Sequence, residues 1–106
     1  MLNPEQIYAE IVKSGSDWAD KDAAATILEE TKKTVFAELF NQQPEGSIGV
    51  REYAASADPV YKLHVVNMVN ARKEANRAKV RFDGAKLLAD LRRSEESTRR
   101  AELKGA

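Results

Sequence analysis

The 106-residue chain lacks cysteine and has few prolines, glycines and aromatic residues. Without cysteine it has no disulfide framework and no thiolate chemistry, which fits a reducing compartment, and we expect a cytoplasmic protein. Alanine, glutamate, lysine and arginine are abundant instead. Because these residues are strong helix formers, the composition favours helix over strand.

Long apolar runs are also missing. No stretch approaches the roughly 18–20 apolar residues that a membrane-spanning helix needs. The opening segment MLNPEQIYAE has no cationic region before an apolar run, so the sequence predicts neither a signal peptide nor a membrane partner.

Residues for catalysis are scarce. The chain has one histidine, and its five glycines are too scattered to form a phosphate-binding loop. The Glu-x-x-His pattern of helical di-iron proteins is missing, because Tyr61 lies three residues before His64. The carboxylates of DWADKD (17–22) suit a helix start, where the helix dipole favours negative charge. We therefore predict no enzyme, metal or cofactor, and an enzyme acting through His64 is the remotest alternative.

The net charge is zero, but the two halves differ. Residues 1–58 hold five cations and eleven acids, whereas residues 59–106 hold twelve cations and six acids. This asymmetry indicates either halves that pack together, within one chain or between two copies, or a charged interaction arm.

Helix signals divide the chain into three helices, at about 4–13, 17–41 and 59–103. Asn3, Pro4 and Gln6 form a capping-box start, and SGS (14–16) is expected to end the first helix at Gly15. Apolar residues at helical spacing extend the second helix to about Asn41. NQQPEGS (41–47) then breaks it.

The segment SIGVREYAASA (47–57) is ambiguous between a short helical turn and a loop that carries Val50 and Tyr53 to the core. Asp58 and Pro59 are a clearer start signal for the third helix, as cap and first residue. At roughly 1.5 Å per residue this helix would measure about 65–70 Å. Gly84 could interrupt it, but the apolar pattern keeps its phase across Gly84, so we expect a continuous helix.

One stripe of the long helix has heptad-like spacing with small residues, which favours close approach of another helix. We assign it to self-association. Its members are Tyr61, Met68, Ala71, Ala75, Ala78, Phe82, Ala85 and Ala89. A flanking apolar stripe indicates more than one neighbour and comprises Val66, Val69, Val80, Leu87 and Leu91.

Beyond Leu91 the apolar pattern stops, so the polar tail 92–106 is expected to fray unless a partner holds it. Its arginines supply the alternative function, binding of nucleic acid through clustered cations. The residues expected to contact phosphate are Arg92, Arg93, Arg99 and Arg100.

The run VNARKEANRAKVRFDGAKLLADLRRSEESTRRAE (69–102), with SDWAD (16–20), resembles the C-terminal part of small helical proteins encoded by tailed phages and prophages. Some of those proteins are similar to products encoded beside phage recombination genes. The resemblance thus implies an accessory role near DNA. It carries over no functional residue, because these families offer no functional motif to match.

Taken together, the residues predict an all-α fold: a helical hairpin or bundle with one long C-terminal helix and coiled-coil-like packing. We expect one domain spanning residues 1–106. The main functional hypothesis is a non-enzymatic interaction or assembly protein that self-associates, as an antiparallel dimer. The alternative is an accessory protein of phage recombination or replication that binds nucleic acid or a DNA-processing protein.

Overall fold

A computed structural model describes residues 3–105. Within this range the regular elements are three α-helices: α1 (Pro4–Asn41), α2 (Ile48–Ala57) and α3 (Pro59–Gly105). The described chain is therefore all-α, as expected, with a long C-terminal helix. Coiled-coil geometry stays a prediction.

The start of α1 follows the expected capping box. The Gln6 amide donates to Asn3 Oδ1, and the Asn3 amide donates to Gln6 Oε1, both at 2.9 Å. The two bonds satisfy amides that a helix start leaves without intrahelical partners.

The predicted end at SGS is wrong, because α1 is one helix from Pro4 to Asn41. Ser14 does not stop the helix: its hydroxyl donates back to the Glu10 carbonyl at 2.6 Å. Gly15 stays helical, and its missing side chain makes room for Phe82, whose Cε1 would lie 2.9 Å from an added Cβ. This glycine serves close packing and does not act as a helix stop.

The break after Asn41 is confirmed. Gly46 adopts φ +113°, a left-handed backbone conformation that glycine accepts without strain. Ser47 then caps α2, with its hydroxyl accepting from the Val50 amide. The expectation that Val50 and Tyr53 reach the core is wrong, because both are exposed and the buried residue of α2 is Ala55.

Asp58 separates α2 from α3, and its carboxylate accepts from the Val60 amide at 2.8 Å, so the predicted cap is confirmed. Helix α3 passes through Gly84 without interruption. It also stays helical through the polar tail and ends at Gly105, two residues past the expected end near residue 103. The structure thus shows regular helix over the part of the tail where we expected fraying.

The contacts divide the chain into two compact units. The central unit is Asp20–Ala75, which contains the second half of α1, all of α2 and the first part of α3. The terminal unit covers 3–19 and 76–105 among the described residues, and so pairs the start of α1 with the rest of α3. This division neither confirms nor contradicts the prediction of one domain spanning residues 1–106.

Candidate functional site

The eight residues of the predicted self-association stripe lie on the side of α3 that packs against α1. Ala75 in the central unit and Ala78 in the terminal unit are 0% exposed, and the other six are half-buried. The heptad-like spacing therefore located a packing face correctly.

Ring contacts show what this face packs against. In the central unit the Tyr61 ring meets Phe36 of α1 edge-on, with 5.6 Å between centroids. In the terminal unit Phe82 stacks on Trp18, with 5.9 Å between ring centroids, and occupies the space beside Gly15 that a side chain would fill. A second copy could not reach Ala75 or Ala78 without displacing α1 of the same chain.

The opposite side of α3 carries exposed apolar residues. In the terminal unit Val80, Leu87 and Leu91 are 71%, 59% and 53% exposed. Their spacing of seven and four residues places them on one helix face. Gly84 falls on the same face, and a Cβ added there would meet nothing within 4 Å. We call Val80, Gly84, Leu87 and Leu91 the outer stripe.

The outer stripe matches the second half of the flanking stripe seen in the sequence. Val66 and Val69, its first half, are also exposed but belong to the central unit. The sequence therefore held the signal for this surface. The pattern alone could not say which of the two stripes faced α1.

The four predicted nucleic-acid-binding arginines have different surroundings. Arg92 is half-buried between the two helices of the terminal unit, and Arg93 forms an ion pair with Asp90. Arg99 and Arg100 are exposed, and no ion pair to either is seen in residues 3–105. The structure thus leaves the last two most accessible to an external anion.

Other cations are neutralised within the chain. Arg72 contacts Asp22 and Glu29 of α1 at 2.6 Å each, and also donates to Thr26. The hydrogen bonds donated by Arg72 lower the pKa of Glu29, and those carboxylates raise the pKa of Arg72 in turn. In the terminal unit Arg81 pairs with Asp17 at 3.4 Å. Part of the charge asymmetry is therefore satisfied by packing of the halves on each other.

The surroundings of His64 indicate a role in helix packing. Its Nε2 lies 2.8 Å from the Leu28 carbonyl oxygen, and because a carbonyl only accepts, Nε2 is the donor. The ring is half-buried on the side of α3 that packs against α1. Among the described residues, no group of three or more histidine, aspartate or glutamate side chains is placed to hold a metal.

A search of residues 3–105 finds no helix with both the length and the apolar character needed to cross a membrane. Comparisons with protein-family models, curated proteins and solved structures found no match. Function is therefore inferred from the contacts, exposure and charge of the residues.

Proposed function

We propose that the protein is a non-enzymatic helical assembly protein that self-associates through the outer stripe of α3. The observation that supports this proposal most strongly is the exposure of Val80, Leu87 and Leu91 on one continuous helix face. Aliphatic side chains exposed in a row gain free energy when a partner removes them from water.

The small core of the terminal unit supports the same proposal. Among its described residues, the buried hydrophobic side chains are Ile7 and Ala78. Two packed helical segments bury only one stripe each. Pairing two terminal units through their outer stripes would bury a second face of α3 in each copy.

A second copy is the partner we favour, because a two-fold dimer uses the same patch twice. An aliphatic stripe without a charge at its centre is complementary to itself. Gly84, in the middle of the stripe, leaves space for a close crossing of two helices. The outer stripe replaces the residues that the heptad-like spacing had indicated, since those pack on α1.

The test is the solution mass of a variant with Leu87→Glu and Leu91→Glu, measured by light scattering over a range of concentrations. We expect a dimer for the original chain and a monomer for the variant, with helix content unchanged. Leu103→Glu is the control for each single substitution, because it adds one carboxylate at an exposed leucine outside the stripe. A monomeric original chain, or a variant that remains dimeric, would refute the proposal.

The alternative function is binding of nucleic acid by the last turns of α3. Arg99 and Arg100 support it, because they are exposed and lie beyond the turns that face α1. The resemblance to small phage proteins points in the same direction. Replacing Arg92, Arg93, Arg99 and Arg100 with glutamine should weaken binding to a DNA duplex and flatten its salt dependence. Unchanged binding would exclude these residues.

A further inference from the structure

A groove of about 220 Å³ lies between the two helices of the terminal unit. Ile7, Tyr8 and Ile11 form its α1 wall, and Ala89 forms part of the opposite wall on α3. The groove exists because the methyl group of Ala89 is too short to fill the space opposite two isoleucines. The α1 wall is open to water at Tyr8, which is 69% exposed.

The rim of this groove carries more positive than negative charge. Arg92 and Arg93 contribute two guanidinium groups, and Glu96 contributes one carboxylate. Arg93 already pairs with Asp90. Arg92 forms no hydrogen bond or ion pair with any residue that the structure describes. Its planar fork of N–H donors is therefore available to a carboxylate at the edge of an apolar groove.

The size of the groove restricts the ligand. A volume of about 220 Å³ equals roughly seven water molecules at ~30 Å³ each. It is smaller than the ~300–1,000 Å³ of sites for drug-sized ligands. A short aliphatic chain fits this space, whereas a peptide helix needs a longer surface than two turns of α1 provide.

We propose that the groove binds a free medium-chain aliphatic carboxylate. The chain lies against Ile7 and Ile11, and the carboxylate accepts hydrogen bonds from Arg92. Apolar burial supplies affinity, and the guanidinium selects an anion over a neutral or cationic head group. The site faces α1 and does not include the outer stripe, so this proposal is independent of self-association.

The first experiment is a titration of the full-length chain with octanoate below its micelle concentration, followed by amide NMR. We expect saturable shifts centred on Ile7, Tyr8, Ile11 and Ala89. Octanol and octyltrimethylammonium carry the same chain without the anion, and we expect each to bind about tenfold more weakly. Equal binding of octanol, absence of saturation, or binding only to anionic phospholipid vesicles would overturn the proposal.

Two rim variants test the electrostatic part of the argument. Arg92→Gln should weaken octanoate binding about tenfold, because one charge-assisted hydrogen-bonding group is lost. Glu96→Gln should strengthen binding, because it removes the carboxylate that repels the ligand. Both variants remove one charge from neighbouring turns, so shifts in the same direction would contradict the assigned ligand pose. Arg99→Gln, outside the groove, should leave the affinity unchanged.

A third variant tests the apolar part. Ala89→Leu places a larger side chain in the groove and should abolish octanoate binding while helix content, measured by circular dichroism, is retained. Undiminished binding in a folded Ala89→Leu chain would show that the carboxylate binds elsewhere.

Discussion

The central and terminal units are built from the same two helices but differ in what surrounds them. In the central unit α2 adds a third helical segment, and its Ala55 is fully buried beside the longer helices. Arg51 of α2 lies over the Phe40 ring at 4.2 Å and donates to the Phe40 carbonyl, which caps the end of α1. The described part of the terminal unit, residues 3–19 and 76–105, has no such third segment.

This difference shows why the binding surfaces proposed above lie in the terminal unit. Two packed helices leave their outer faces in water, and a position with a small side chain between them, such as Ala89, stays partly unfilled. In the central unit α2 packs on the longer helices, and Arg72 forms ion pairs with Asp22 and Glu29. Among the described residues, four of the six buried hydrophobic side chains therefore lie in the central unit, whereas exposed aliphatic residues occur in both units.

The strongest test of this comparison places one charge in each unit. Ala75→Glu buries an unpaired carboxylate in the central unit and should lower the free energy of unfolding by about 4 kcal/mol. Ala78→Glu should cost about half as much, because a pair of helices can open toward water more easily than a three-segment unit. Urea denaturation measures both losses, and hydrogen exchange shows which amides lose protection. Equal losses would contradict the comparison.

Two glycines of the terminal unit, Gly15 and Gly84, should give smaller changes in stability, of opposite sign. In the Leu87→Glu/Leu91→Glu background, which removes the proposed dimer contact, Gly84→Ala meets open space and should stabilise the chain by about 1 kcal/mol through helix propensity. Gly15→Ala gains the same propensity but forces its Cβ against Phe82, and overpacking of about 2 kcal/mol leaves a net loss. Thermal unfolding at equal concentration compares them. Stabilisation by both substitutions would show that the packing of Phe82 against Gly15 does not require a glycine.

The smallest expected effect is a change in how the free energy of unfolding depends on pH. Because Arg72 lowers the pKa of Glu29 in the folded chain, this pair contributes stability above the ordinary glutamate pKa of 4.5. The contribution is lost as the pH falls through the lower, folded-state pKa. Arg72→Gln should therefore destabilise the chain at neutral pH, and the difference from the original chain should shrink in acid.

Arg81→Gln is the matched control in the terminal unit, where the pair with Asp17 is longer, at 3.4 Å, and more exposed. Its effect on urea unfolding should be smaller than that of Arg72→Gln at every pH. An effect of Arg72→Gln that grows on acidification would contradict the assigned ion pairs.

Local signals in the sequence predicted the starts of α1 and α3 well, whereas the helix start expected near residue 17 was wrong. The capping box at Asn3 and the Asp58–Pro59 start depend on hydrogen bonds between residues two or three positions apart. Such bonds can be read from spacing alone. The continuity of α3 through Gly84 was also predictable, because the apolar pattern keeps its phase there.

The features that local patterns did not predict depend on contacts between residues far apart in the chain. Gly15 looks the same in sequence whether it ends a helix or admits Phe82, 67 positions later. The stripe from Tyr61 to Ala89 was correctly predicted to pack, but spacing does not say whether its partner is α1 or a second copy. Likewise, the exposure of Val50 and Tyr53 follows from the orientation of α2, which no local pattern determines.

Contacts within the two units join residues at very different separations along the chain. The contact of Arg51 with Phe40 spans 11 positions, His64 with Leu28 spans 36, and Arg81 with Asp17 spans 64. Closing the longest of these loops from an open chain costs about 1.6 kcal/mol more than closing the shortest. When the contacts form in order from the α1–α2 turn outward, the second and third close 25 and 28 further residues instead of loops of 36 and 64. Loop-closure entropy therefore favours early contacts near this turn and late contacts between the start of α1 and the later part of α3.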